Sequence, residues 1–206
     1  MPAPDRPERI GILGGTFDPP HAGHVAAGRA AVETLGLDRL LLVVANDPWQ
    51  KSGRRTVSPA EDRFALTEAL ASDIPRAEAS RLEIDRGGPS YSVETAEAVL
   101  AANRAAGDLA PDLYLVVGAD LVPELESWMR PDDLERLVTL AVVSRPNSPA
   151  PVVPAGWRVV RVDGPAVDVS SSEVRERLAA GGSVEGLVPA GVIRCIRRRD
   201  MYAVPR

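Results

Sequence analysis

Arg9-Ile10-Gly11-Ile12-Leu13-Gly14-Gly15-Thr16-Phe17-Asp18-Pro19-Pro20-His21-Ala22-Gly23-His24 decides how this 206-residue chain is read. Residues 9–13 have the apolar character of a buried strand, and the glycines and prolines after them break it. Residues 25–32 (Val-Ala-Ala-Gly-Arg-Ala-Ala-Val) then resume as a helix. A strand, a glycine turn and a helix with imidazoles in its first turn outline an anion site, because a helix start presents unpaired N–H groups. His21 and His24 are the only histidines in the chain. Near neutral pH an imidazole can donate to phosphate, carry a proton or bind a metal.

Strand-length apolar runs and helical periods alternate through the rest of the sequence. Residues 40–44 predict a second strand. Ser58-Pro59-Ala60-Glu61 predicts a helix start, with Ser58 as N-cap, Pro59 at the first helical position and Glu61 closing a capping box. Residues 80–84 predict a strand, Gly87-Gly88-Pro89 a turn, and residues 92–105 a helix. A strand at 113–117 ends at Gly118-Ala119-Asp120. Short helical turns at 121–125 and 132–137 precede strands at 138–143 and 157–162. Ser170-Ser171-Ser172-Glu173 then opens a helix, with Ser170 as cap and Glu173 completing the box. This alternation predicts an α/β fold with a doubly wound parallel sheet covered by helices on both faces. Residues 1–8 are expected to be a flexible lead. Residues 9–206 are expected to form a single domain with a small C-terminal helical part, and residues 145–154 a loop within it.

Composition narrows the function classes. A formal net charge of −5 argues against a general nucleic-acid binder. No apolar run is long enough to cross a bilayer. The single cysteine, Cys195, has no partner for an internal disulfide, which makes a cytoplasmic location the default expectation. A homo-oligomer is compatible with the sequence, which does not specify one. Of the 24 basic side chains only Lys51 is a lysine. It follows Asp47-Pro48-Trp49-Gln50, just past a predicted strand end, where an ammonium can meet phosphate as a point charge.

Doubly wound sheets bind ligands at the carboxyl ends of their strands. Four suggestive segments fall there: residues 16–24, 48–51, 118–120 and 170–175. The first lacks the G-x-G-x-x-G spacing of dinucleotide folds, and no G-x-x-x-x-G-K-[ST] stretch occurs. Two blander readings of the histidines stand beside anion binding. They could be packed in a turn for structural reasons, or they could ligate zinc with Asp18 as the only local third ligand.

Residues 15–24, Gly-Thr-Phe-Asp-Pro-Pro-His-Ala-Gly-His, resemble the T/HxGH signature of the nucleotidylyltransferase superfamily. Further matches are Pro89-Ser90-Tyr91-Ser92-Val93-Glu94-Thr95 and Gly118-Ala119-Asp120 with Leu125 and Trp128 at similar spacing. Val169-Ser170-Ser171-Ser172-Glu173-Val174-Arg175 is similar to an ISSTxIR segment. Together they resemble the bacterial nicotinate-nucleotide adenylyltransferases over residues 9–202. Two positions depart from that pattern: Pro48-Trp49-Gln50-Lys51 stands where many relatives have Pro-Pro-His-Lys, and Cys195 where a tyrosine is common.

The resemblance implies a Rossmann-like fold and transfer of the adenylyl group of ATP to nicotinate mononucleotide, with Mg²⁺ bound to substrate rather than to protein ligands. It implies His21, His24, Lys51 and Arg175 as the catalytic set. Gly14, Gly15, Thr16, Phe17, Gly118, Asp120, Ser171 and Ser172 are the implied ATP-binding residues. Ser92, Trp128 and Met129 are those for the nicotinate nucleotide. For Trp128 the alternative is ordinary core packing, and for Asp120 it is capping of the helix that follows. Rival readings are a sister enzyme acting on nicotinamide mononucleotide or phosphopantetheine, and a nucleotide sensor without turnover.

Overall fold

A computed structural model describes residues 6–48, 56–144, 151–164 and 167–202. Six strands form one all-parallel sheet in the order β3-β2-β1-β4-β5-β6. They are β1 (Arg9–Gly15), β2 (Arg39–Val44), β3 (Ala77–Ser80), β4 (Asp112–Gly118), β5 (Thr139–Ser144) and β6 (Val159–Asp163). The helices between and after them are α1 (Ala22–Leu35), α2 (Ala60–Ala71), α3 (Leu82–Arg86), α4 (Ser92–Ala105), α5 (Pro131–Leu137), α6 (Ser171–Ala179) and α7 (Ala190–Arg198). A 3₁₀ helix spans Ala119–Ser127.

Each central strand is buried on both faces, and its period of two divides its side chains between two cores. Leu40, Leu42 and Val44 face one core with residues of α1, α2, α6 and α7, among them Leu35, Leu66, Leu70, Val174 and Ile196. Leu41 and Val43 face the other, with Val93, Ala96 and Val99 of α4, Leu125 of the 3₁₀ helix and Leu134 of α5. The chain winds outward from β1 to β3, then returns to place β4 on the other side of β1. The two loops leaving β1 and β4 therefore diverge to opposite faces, and a crevice opens between them.

Three local expectations are corrected. The strand expected at 80–84 is β3 ending at Ser80 and then α3. A strand would send Leu82 and Ile84 to one face, whereas here Leu82 packs in the second core and Ile84 in the first. Short apolar runs do not separate these alternatives by periodicity. At the start of α2, the cap is Pro59 rather than Ser58, and its carbonyl accepts from the N–H groups of Asp62 and Arg63. Glu61 does not close a box; its carboxylate takes both terminal nitrogens of Arg81, at 2.7 and 2.8 Å. Ser170 does cap α6, accepting from the Glu173 N–H at 3.2 Å. The Glu173 carboxylate turns instead to Arg177 at 2.8 Å.

Candidate active site

Beyond β1 the loop of residues 16–20 turns sharply. Phe17 has φ of 51°, a left-handed conformation that costs a bulky residue about 1–2 kcal/mol. Its ring is buried and lies 4.9 Å from that of His24. Phe17 thus forms part of the floor on which an imidazole rests. His21 is the N-cap of α1 and His24 its third residue, with ring centroids 3.9 Å apart. A Cβ on Gly23 would stand 3.0 Å from two atoms of the His21 ring, so the glycine gives that ring its place.

The His21 backbone N–H donates to His24 Nδ1 at 3.2 Å. Nδ1 of His24 is therefore an acceptor, which puts the proton of the neutral ring on Nε2. His21 buries its own Nδ1 without a hydrogen-bond partner, and burial lowers its pKa to about 4. At neutral pH His21 is an uncharged imidazole. The zinc alternative loses its third ligand, because the Asp18 carboxylate is buried and accepts from the Tyr202 hydroxyl at 2.7 Å. Among the described residues no group of three or more His, Cys, Asp or Glu side chains could hold a metal ion.

The same loop is gripped through its backbone. Arg63, only 1% exposed, spreads its guanidinium over four carbonyls: Ser58 at 2.8 Å, Thr16 at 2.9 Å, Ala45 at 2.6 Å and Asn46 at 3.1 Å. It ties the ends of β1 and β2 to the start of α2. Arg175 donates to the Asp18 carbonyl at 2.6 Å and to Ser172 Oγ at 3.0 Å, and Ser171 Oγ donates to the Pro19 carbonyl at 2.9 Å. Of these three α6 residues, expected from the resemblance at the phosphates, Ser171 and Arg175 bond the histidine loop in this structure, and Ser172 bonds Arg175.

A cleft of about 790 Å³ lies above the carboxyl ends of the central strands. Gly14, Gly15, Thr16, Phe17, His21, His24 and Ser171 form one part of its wall, and Gly118 and Asp120 another. Ser92, Trp128 and Met129 also line it. Arg175 and Ser172 are not in the wall, and Lys51 lies outside the described residues. A Cβ at Gly14 would meet no atom within 4 Å, so neither packing nor φ requires glycine there. Asp120 does not cap the 3₁₀ helix, whose N-cap is Gly118. Its carboxylate folds back over Gly118, where a Cβ would collide with it. Trp128 packs on the second core yet buries its Nε1 without a partner, so core packing and cleft lining are both true of it.

Several cleft features escape the sequence reading. Glu83 is a buried carboxylate on the wall that accepts from the Thr95 hydroxyl. Ser144 ends β5 with a buried, unpartnered hydroxyl, also on the wall. Arg63 had a legible signal: it shares the buried stripe of α2 with Leu66, Thr67 and Leu70, where a guanidinium needs a reason. Tyr202 had none, because its partner lies 184 positions away.

Comparison with known proteins identifies the family. The cytidylyltransferase-like family matches residues 12–177. A probable nicotinate-nucleotide adenylyltransferase of Solibacter usitatus is 43% identical over 194 residues, covering 94% of this chain and 99% of the relative. One from Acidothermus cellulolyticus is 36% identical, covering 96% and 95%. The fold is also similar to a solved Plasmodium falciparum nicotinic acid mononucleotide adenylyltransferase complexed with NaAD. There the TM-score is 0.74 at 16% identity, covering 95% of this chain and 97% of that one. On the motif, the sheet order and full-length identity together, this chain belongs to the nicotinate-nucleotide adenylyltransferases of the cytidylyltransferase-like family.

Proposed function

We infer that the protein transfers the adenylyl group of ATP to nicotinate mononucleotide, releasing pyrophosphate and forming nicotinate adenine dinucleotide. The observation that carries this reading is a single cleft that joins the glycine and histidine wall of β1 and α1 to Trp128, Met129 and Ser92. The first part suits a triphosphate and the second a flat aromatic acid.

In an in-line transfer the 5′-phosphate oxygen of the mononucleotide bonds to the α-phosphorus of ATP while the bond to the β-phosphate oxygen breaks. A phosphate monoester is already largely ionised near neutral pH, so no general base is needed. Catalysis then rests on position and on donors aimed at the oxygens that gain charge. His24, with its Nε2 proton set by the His21 N–H, is the donor for the α-phosphate. His21, neutral because it is buried, gives a hydrogen bond without a competing charge. The N–H groups of Gly15 and Thr16 and the start of α1 add a favourable dipole. ATP enters as its Mg²⁺ complex, the ion being held by phosphate oxygens and water. Ser171 and Arg175 reach the β- and γ-phosphates by exchanging their loop carbonyls for substrate oxygens, Ser172 joins them by exchanging its bond to Arg175, and Lys51 and Asp120 serve the phosphates and a ribose. On the acceptor side Trp128 stacks on the pyridine ring. The N-terminus of α4 at Ser92 and the backbone at Met129 meet the ring carboxylate with dipoles.

The test is pyrophosphate release from ATP with nicotinate or nicotinamide mononucleotide side by side, in the presence of Mg²⁺. Release with the acid in clear preference to the amide is expected. Preference for the amide would overturn the acceptor assignment, and no release with either would overturn the enzymatic one.

A further inference from the structure

After α7 the chain makes an expensive turn. Asp200 and Tyr202 both take left-handed backbone conformations, with φ of 51° and 64°. Each costs a non-glycine residue about 1 kcal/mol or more, a cost that persists only where surrounding contacts enforce it. Met201 packs into the first core, and its N–H donates to the Ile196 carbonyl at 3.1 Å. The result is that the Tyr202 hydroxyl arrives at Asp18 Oδ1, at 2.7 Å, across 184 positions of sequence. Asp18 is 1% exposed and lies inside the histidine loop, between left-handed Phe17 and the cis Asp18–Pro19 peptide. The N–H of Ser58 approaches the other carboxylate oxygen only at 3.5 Å. Burial, and then the negative charge of Asp18, hold the Tyr202 phenol well above its ordinary titration range, so it remains a donor at any physiological pH.

We propose that Tyr202 is a positioning residue for adenylyl transfer, acting through Asp18 to hold the loop that carries His21 and His24. The proposal rests on the functional reading above. Phe17 stores strain in the loop and supports the His24 ring, so a loop released at Asp18 relaxes at Phe17 and shifts the donor. Tyr202 packs on the first core, whereas Trp128 of the acceptor side packs on the second, so loss of the phenol leaves acceptor binding intact while lowering turnover.

The experiment compares wild type, Tyr202→Phe, Asp18→Ala and the double variant by steady-state pyrophosphate release from MgATP and nicotinate mononucleotide. Ile74→Val, a core change just after α2 at a residue that does not line the cleft, serves as a control for general loss of stability. Removing one hydrogen bond to a buried carboxylate is expected to lower kcat about tenfold in Tyr202→Phe, with KM for the acceptor within about twofold. In the Asp18→Ala background, where the acceptor of the phenol is gone, the same substitution should change kcat by less than about twofold, because the two groups act as one unit. The proposal is overturned by a Tyr202→Phe kcat within about twofold of wild type. An equal fall in Ile74→Val, or effects that multiply fully in the double variant, would also overturn it. Wild type inactive on these substrates would instead sink the functional reading itself.

Discussion

Arg63→Met asks whether one buried guanidinium holds the rim of the active site together. The Thr16 and Ala45 carbonyls bond to it in fully buried surroundings. Orphaning each of them costs about 1–3 kcal/mol. The Ser58 and Asn46 carbonyls lie nearer solvent and recover water at small cost. A thioether in place of the guanidinium removes a desolvation penalty and returns part of the loss, leaving a net destabilisation of about 3 kcal/mol. For a domain of this size that lowers Tm by about 6–12 °C. The assay is thermal melting by far-ultraviolet circular dichroism, with and without saturating MgATP. The loop proposed to bind the nucleotide should be looser in the variant, so the upward shift of Tm by MgATP should also shrink. Arg63→Lys should fare no better, since a single ammonium cannot span four carbonyls on three segments. A methionine variant melting within about 2 °C of wild type with an undiminished MgATP shift would refute the argument. Full rescue by lysine would show that the charge matters and the fork does not.

His24→Ala should lower kcat by about 10²-fold or more, the scale of a lost transition-state donor, measured by pyrophosphate release; near-normal turnover would remove the imidazole from the mechanism. Gly14→Ala should leave Tm unchanged or raise it slightly, because the added methyl meets no protein atom and the unfolded chain loses freedom. KM for ATP should nevertheless rise about tenfold, as the methyl occupies cleft space. An unchanged KM would mean that no ligand approaches this glycine. His21 titrates near 4 when folded and near 6.5 when unfolded, so between these values the unfolded chain holds the extra proton and stability rises with pH. Its contribution is absent below pH 4 and complete above 6.5, amounting to at most about 3 kcal/mol. Urea midpoints at pH 4.5 and 6.5 should therefore differ less in His21→Asn than in wild type, and equal differences would contradict a buried neutral imidazole.

Most of the cleft was legible because its chemistry is local in sequence. Gly14 through His24 are contiguous, so strand end, turn and helix start put the glycines and both imidazoles together whatever the rest of the chain does. The sheet order brought Gly118 and Asp120, at the end of β4, to the same rim as the β1 loop, and the segments that follow β4 and β6 carry Trp128 and Ser171 to that cleft. Residues 80–84 were misread for the opposite reason. Five residues with two apolar positions fit strand and helix equally, and only packing on two different cores selects the helix.

What the chain order alone settles, then, is the sequence of elements, their parallel stacking and the glycine and histidine loop after β1, since hydrophobic period and turn chemistry act over a few residues. The supports of that loop are a different matter. Arg63, Arg175 and Tyr202 reach residues 16–18 from 47, 157 and 184 positions away. Their roles come from which carbonyl or carboxylate they meet after folding. A buried polar group must find a partner wherever the fold provides one, and that partner is a property of three-dimensional proximity that no local pattern encodes.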